Sequence, residues 1–368
     1  MTTTTLEKKE VAFDAQKADA FANRLMDMMN GGALSIMGSI GHRVGLFDTM
    51  RALPPATSQE IADASGLNER YVREWLGAMT TGGIVECHIN GNGDAPRYSL
   101  PAEHAAFLTR ANPADNIGVL MQYIGQLGAV EDKVVDCFRN GGGVPYSEFS
   151  RFAEIMAEDS GQSVLPVLVD QILPLAPGVI DRLRQGIDVL DIGCGRGKAL
   201  NLMAKTFPNS RFVGYDLLDH QIDYASNEAR EQGNTNVRFE VHDLVELNEP
   251  KTYDLITAFD VIHDQARPDI VLRNVHTSLR DDGTFLMQDI AGSSHHHENH
   301  GHPIGPLLYT VSTMHCMTVS LAQGGMGLGT MWGEDTAQKM LHEAGFEVQS
   351  IERLPHDVQN CYYICTKK

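Results

Sequence analysis

The chain has 368 residues, with 29 basic against 48 acidic side chains and a formal net charge of −19. That balance argues against DNA, RNA or anionic lipid as the main partner, since each demands a basic surface. With 42% apolar residues there is ample material for a core, the length suits two domains, and the six cysteines show no C-x-x-C pair or disulfide rhythm, which points to reduced thiols.

The opening MTTTTLEKKE has no apolar centre and does not read as a signal peptide, and no run of ~20 apolar residues follows, so a cytoplasmic, membrane-free protein is expected. Up to about residue 30, Phe13, Ala20, Phe21, Leu25, Met28 and Met29 recur at helical spacing, and residues 33–50 read as a second helix. Thr57-Ser-Gln-Glu60 is a capping box, and Asn68 caps a further helix with Val72, Trp75, Leu76 and Met79 on one face and Gly82-Gly83 at its end. Residues 84–89 and 97–100 flank Asn90-Gly-Asn-Gly-Asp94, a hairpin turn. Helices followed by a hairpin predict a winged helix. A DNA-reading helix here would offer Arg70 and Arg73, offset by Glu69 and Glu74, with Asp94 at the wing tip. The domain 1–110 is therefore expected to cover substrate and to form a homodimer, its apolar helices needing a partner, rather than to bind nucleic acid.

Residues 111–180 read as a helical linker and lid. Residues 117–135 are helical, Gly141-Gly-Gly-Val-Pro-Tyr-Ser-Glu-Phe149 is a loop that either links or brings Tyr146 and Phe149 to a substrate, and residues 152–183 are helical with breaks at Pro166, Pro174 and Pro177.

From residue 187 strands and helices alternate, which predicts an α/β domain with a parallel sheet over residues 181–368. Residues 189–192 form its first strand, followed by Gly193, Gly195 and Gly197 and a helix at 199–207. Missing Cβ atoms let such a loop run close to a ligand. A dinucleotide fingerprint would place its third glycine where Lys198 stands. The next strand, 211–216, ends in Asp216; 237–241 is followed by Asp243-Leu244; 253–259 by Asp260-Val-Ile-His263-Asp264; then come 284–288 and a final pair at 346–354 and 362–366. Ligands of open α/β sheets bind beyond the carboxyl ends of the strands, so these acids and His263 should converge there. An insertion, 291–333, offers Tyr309, Met314, His315, Met317 and Trp332 to a pocket, with plain core packing as the alternative for each. Its tract of His295, His296, His297, His300 and His302 reads as a solvated loop, and no metal is expected.

Asp191-Ile-Gly-Cys-Gly-Arg-Gly197 resembles motif I of class I S-adenosylmethionine (SAM) methyltransferases. Tyr71-Val-Arg-Glu-Trp-Leu76 with Gly82-Gly83-Ile84, Phe259-Asp-Val-Ile-His-Asp264 and Met314-His-Cys-Met317 through Gly333 extend the resemblance to methyltransferases with an N-terminal winged helix, over nearly the whole chain after residue 33. These include bacterial two-domain methyltransferases, the animal thiol methyltransferases similar to them and, more remotely, plant-type O-methyltransferases. The resemblance implies a Rossmann-like seven-stranded SAM domain. Gly193 and Gly195 would pass under the amino-acid tail of SAM, Asp191 would organise its ammonium group, Asp216 with Leu217 would meet the ribose and Asp243 with Leu244 the adenine, with Phe259 beside them. It also makes His263 the general base, suited by an ordinary pKa near 6.5, with Asp264 orienting it. Tyr146, Tyr309, His315 and Trp332 are the substrate-side candidates. Gln265 stands where the motif has Trp, and together with the His-rich insertion it leaves the acceptor open among sulfur, oxygen and nitrogen. A thiol needs less activation than an alcohol, and the methionines suit sulfur, so a thiol or sulfide of a small molecule is the preferred acceptor. The alternatives are a small-molecule O-methyltransferase and a SAM- or DNA-binding regulator.

Overall fold

Asp14 opens the first helix, α1 (Ala15–Arg43), its carboxylate accepting from the backbone N–H groups of Gln16 and Lys17. The structure, a computed structural model, describes residues 13–89, 91, 93–113 and 116–368, and the chain divides into two compact units, Met1–Thr109 and Arg110–Lys368. The opening MTTTTLEKKE and Asn90 and Asn92 of the wing turn lie outside the described residues. Among the described residues no single helix is long and apolar enough to cross a membrane.

In the first unit α1 runs straight through Gly31-Gly32, where the sequence suggests a break. Two glycines cost a helix only about 1 kcal/mol each, and the good helix formers on both sides outweigh that. The break comes at Gly45, whose φ of 73° is left-handed, before α2 (Leu46–Ala52). Both halves of the Thr57–Glu60 capping box form and start α3 (Ser58–Ser65), and Asn68 caps α4 (Glu69–Thr81). Helix α4 buries Val72, Trp75, Leu76 and Met79. The Trp75 indole stands edge-on to Phe47 at 5.2 Å and donates to the Met37 carbonyl at 2.8 Å. Strands β1 (Glu86–His88) and β2 (Arg97–Ser99) pair antiparallel and complete the winged helix. Arg70 and Arg73 are ion-paired with Glu74 and Glu69.

The second unit holds a sheet of seven described strands, β3 (Asp188–Ile192), β4 (Arg211–Asp216), β5 (Val237–Val241), β6 (Tyr253–Phe259), β7 (Leu279–Ile290), β8 (Phe346–Glu352) and β9 (Asn360–Lys367), in the order β5-β4-β3-β6-β7-β9-β8. Helices Lys198–Thr206, Asp219–Gln232 and Pro268–Ser278 carry the chain back between β3 and β4, β4 and β5, and β6 and β7, which makes those strands parallel. The sheet is mixed rather than wholly parallel. β9 runs antiparallel to both β7 and β8, because the short link at 353–359 has no helix to return the chain. Alternate residues face opposite layers: Leu190 and Ile192 of β3 join one apolar cluster, with Ile256 and Trp332, and Val189 joins the other, with Leu200, Phe212 and Leu255. The segment 111–180 lies in this unit and contributes the helix Phe152–Ser163 and the turn Tyr146–Glu148. Strand order reverses at β3, between β4 and β6, which opens a crevice at the carboxyl ends of these strands.

Gly197 ends the loop after β3 with φ 66°, and a Cβ there would lie 2.5 Å from the Phe239 ring and 2.6 Å from the Ala225 methyl. Gly233 has a similar φ of 71° but nothing within 4 Å. Gly233→Ala is therefore expected to lose only the ~1–2 kcal/mol of a left-handed alanine, and Gly197→Ala distinctly more. Thermal unfolding of the two variants checks this; equal losses would contradict a sterically closed loop.

Candidate functional site

The carboxyl end of β3 delivers Asp191, 3% exposed, whose Oδ1 accepts from the Thr257 hydroxyl on neighbouring β6 at 2.6 Å. Burial and the nearby Asp216 push the Asp191 carboxyl up to about 7, against the pull of Thr257. Gly193, Gly195 and Gly197 follow with φ of 61°, 52° and 66°, a backbone that favours glycine at each. Asp216, at the end of β4, clasps this loop: Oδ2 accepts from the Gly195 N–H and Oδ1 from the Leu218 N–H, both at 2.9 Å. Burial raises its pKa, opposed by those N–H groups. Asp243, after β5, accepts from the Val245 N–H at 2.9 Å and caps a short turn.

These groups wall one cavity of about 570 Å³. Asp191, Gly193, Gly195, Asp216, Leu217, Asp243, Leu244 and Phe259 all line it, as do Tyr146, Asp264 and His315. Asp260, with a left-handed φ of 56°, is on the wall too, and the sequence gives no sign of three further wall residues: Phe152 and Met156 from the helix Phe152–Ser163, and His242 stacked on Tyr215 at 4.6 Å.

His263 is brought to the right strand end but sits behind the wall. It is 3% exposed and absent from the cavity lining, whereas Asp264 is part of it. Its Nδ1–H donates to Asp289 Oδ1 at 2.7 Å, and Nε2 lies 3.6 Å from Asp264 Oδ1. Burial disfavours the charged imidazole, but Asp289 and Asp264 outweigh it and hold the pKa well above the ordinary value. A ring so placed does not support direct proton removal from an acceptor. Asp264, pushed up to about 6 by burial, accepts from the Tyr146 hydroxyl at 3.3 Å. His315 stacks on Phe152 at 3.4 Å, with Phe149 edge-on at 4.7 Å. Burial and then the charge of His263 push it down to about 3, so it is neutral.

Two substrate-side candidates lie elsewhere. Tyr309 accepts from Asn299 Nδ2 at 2.9 Å and packs with Ile290, Leu308 and Met331, outside the lining. Trp332 is also outside it, 5% exposed, and donates from Nε1 to Asp289 Oδ1 at 3.0 Å. Asp289, fully buried near the end of β7, thus holds both His263 and Trp332. The signal for it in the sequence was a carboxylate in the otherwise buried strand end Leu-Met-Gln-Asp-Ile. His295, His296, His297 and His300 are exposed.

Residues 32–110 match the Rv2258c-like winged HTH domain, and residues 183–345 match the methyltransferase domain family. Among curated proteins, (S)-coclaurine N-methyltransferase of Papaver somniferum is 26% identical over 109 residues, 30% of this chain and 31% of its own length. The chain thus spans about a third of that relative. Among solved structures, the mitomycin 7-O-methyltransferase MmcR is similar with a TM-score of 0.71 at 16% identity, covering 96% of this chain and 100% of its own. Human N-acetylserotonin methyltransferase in complex with SAM gives a TM-score of 0.68 at 16% identity, covering 98% and 99%. At such identities the likeness is one of fold.

Trp332→Phe removes one donor from the buried Asp289 carboxylate. It is expected to cost about 1–3 kcal/mol, read by urea unfolding, whereas Tyr309→Phe should cost about 1 kcal/mol or less. A Trp332→Phe protein as stable as the parent would contradict the role given to the indole N–H.

Proposed function

We propose that this chain, a winged-helix unit followed by a methyltransferase domain of Rossmann-like fold, transfers the methyl group of SAM to a small-molecule acceptor. The observation that carries the reading is the left-handed glycine loop clasped by Asp216, with Asp191, Asp216 and Asp243 on the wall of one cavity. The donor set fits the cofactor. Asp191 suits its ammonium group, Asp216 its ribose hydroxyls and Asp243 its adenine amine. Leu217, Leu244 and Phe259 offer apolar contact, and Arg196 and Lys198, on the same wall, suit its carboxylate. SAM, when bound, supplies a methyl carbon activated by a sulfonium.

The acceptor we favour is a thiol or sulfide. His263 stays off the cavity wall; of the imidazoles on it, His315 is neutral and enclosed by aromatic rings, and His220 and His242 follow β4 and β5 beside the acids given to the cofactor. An acceptor that ionises easily is the better match, and a thiol does so near 8.5 against about 10 for a phenol. Met156 and the rings of Phe149 and Phe152 add a soft, apolar wall that excludes water. In this reading His263 positions Asp264 rather than touching the acceptor. A homodimer through the N-terminal unit belongs to the proposal, since α1 leaves Phe21, Leu25, Met26, Met28 and Met29 exposed.

An acceptor screen reading S-adenosylhomocysteine release tests the function, comparing hydrogen sulfide, alkyl thiols, thioethers, phenols and amines. Turnover of phenols or amines above thiols would remove the sulfur preference, and no SAM binding by calorimetry would remove the whole reading. Cofactor binding should also depend on pH. Asp191 must be anionic to pair with the ammonium group, and its carboxyl sits at about 7. Below that the dissociation constant of SAM is expected to rise toward tenfold per pH unit, while Asp191→Asn binds weakly with a flat profile.

A further inference from the structure

His263, Asp264 and Cys316 bring an imidazole nitrogen, a carboxylate oxygen and a thiol sulfur within 4.8 Å of one another. Two segments far apart in the chain meet there. One is the 3₁₀ turn Ile262–Asp264 after β6, the other the π-helical turn Ser312–Cys316. His263 Nε2 and Asp264 Oδ1 are 3.6 Å apart, and tetrahedral zinc ligands at ~2.0–2.3 Å from the ion lie roughly 3.3–3.7 Å from each other.

The surroundings are those of a ligand set. The His263 ring is held from behind, Nδ1 on Asp289 Oδ1 at 2.7 Å, and that same oxygen also accepts from Trp332 Nε1 at 3.0 Å and the Ile290 N–H at 2.8 Å. A carboxylate on one ring nitrogen fixes a metal-binding histidine so that its other nitrogen points at the ion. Asp264 Oδ1 has no hydrogen-bond partner although it is shielded from solvent, while its Oδ2 accepts from Tyr146. Asp289 Oδ2, in a side chain that is fully buried, is also without a partner. Another triple, Asp260, His263 and Asp289, would turn Asp289 from support into ligand.

We propose that His263 Nε2, Asp264 Oδ1 and Cys316 Sγ bind a divalent ion of the zinc type, with a fourth position facing the cavity that Asp264 lines. Mixed nitrogen, oxygen and sulfur donors select zinc over magnesium or calcium, and three protein ligands leave a position for substrate. What the ion does there rests on the methyl-transfer reading. The acceptor R–SH binds it through sulfur and releases its proton to water. The thiolate lone pair then forms the S–CH₃ bond as the C–S bond of the sulfonium breaks, its electron pair staying on S-adenosylhomocysteine. The sum is R–SH plus SAM giving R–S–CH₃, S-adenosylhomocysteine and a proton.

The test uses the full chain with His295, His296, His297 and His300 changed to Gln, so that the surface tract cannot hold metal. After chelation and desalting, Zn²⁺ titration followed by elemental analysis is expected to give one ion per chain. Cys316→Ser, His263→Gln and Asp264→Asn should each lower zinc affinity at least tenfold, with folding checked by circular dichroism. Co²⁺ should show a thiolate-to-metal charge-transfer band that Cys316→Ser lacks. Zinc bound no more tightly than by these variants, or a cobalt spectrum without that band, would overturn the site. SAM binding is measured on the same samples. Cofactor binding without zinc binding sinks the metal site alone, and zinc binding without cofactor binding sinks the methyl-transfer reading alone.

Discussion

The Asp216 carboxylate ties the end of β4 to the loop after β3, and the cavity takes its form from that contact. Its two oxygens accept from Gly195 and Leu218, each at 2.9 Å. Three left-handed glycines would otherwise leave the loop free to wander, since glycine loses more freedom on folding than any other residue. The contact needs β3 and β4 to be adjacent and parallel, which needs the helix between them, which packs Leu200 and Met203 under the sheet. The loop is also closed sterically: a Cβ on Gly193 would meet Val261 at 2.6 Å, so the chain after β6 braces it from the other side.

The wall around Asp264 depends on another carboxylate. Asp289 is fully buried, and its Oδ1 gathers an imidazole, an indole and a backbone N–H. A buried carboxylate left with fewer partners is costly. The insertion that supplies Trp332 is therefore joined to the sheet by a charged hydrogen bond as well as by apolar packing, and the same oxygen sets the plane of His263. Asp264 then reaches the cavity because it follows a ring that cannot turn.

Much of this was legible in the chain. The strands β4, β5 and β6 begin and end where apolar runs and terminal acids place them, because buried parallel strands leave a near-continuous apolar signal. The convergence of Asp191, Asp216 and Asp243 on one cavity was legible for the same reason, since each sits at a strand end and topology alone brings strand ends together. The antiparallel β9 was not, because a strand carries no mark of its direction; only the short link before it does. Tyr309 and Trp332 were misplaced because the insertion folds through short helices and a π turn, where spacing says little about facing. Asp289 was missed because a single acid in a buried strand looks like a terminal cap until its partners, Trp332 and His263, are seen in space. The helix break expected before residue 33 failed for a different reason: glycine weakens a helix without ending it unless the backbone must turn left-handed, as at Gly45.

Three irregular stretches meet around His263. Asp260 holds φ 56° without being glycine, Ile262–Asp264 is a tight 3₁₀ turn, and Ser312–Cys316 is wound as a π helix. Aspartate is among the residues that tolerate the left-handed region, and the two turns bury Ile262, His263, Ser312, His315 and Cys316 through their tertiary contacts. Those contacts converge on one buried imidazole with Asp260, Asp264 and Asp289 around it. An interior with more carboxylates than cations favours whatever positive charge enters, which a sulfonium cofactor brings from one side and a metal ion would bring from the other. The regular sheet supplies the position of this site, and the buried carboxylates and imidazole at its edge supply the electrostatics.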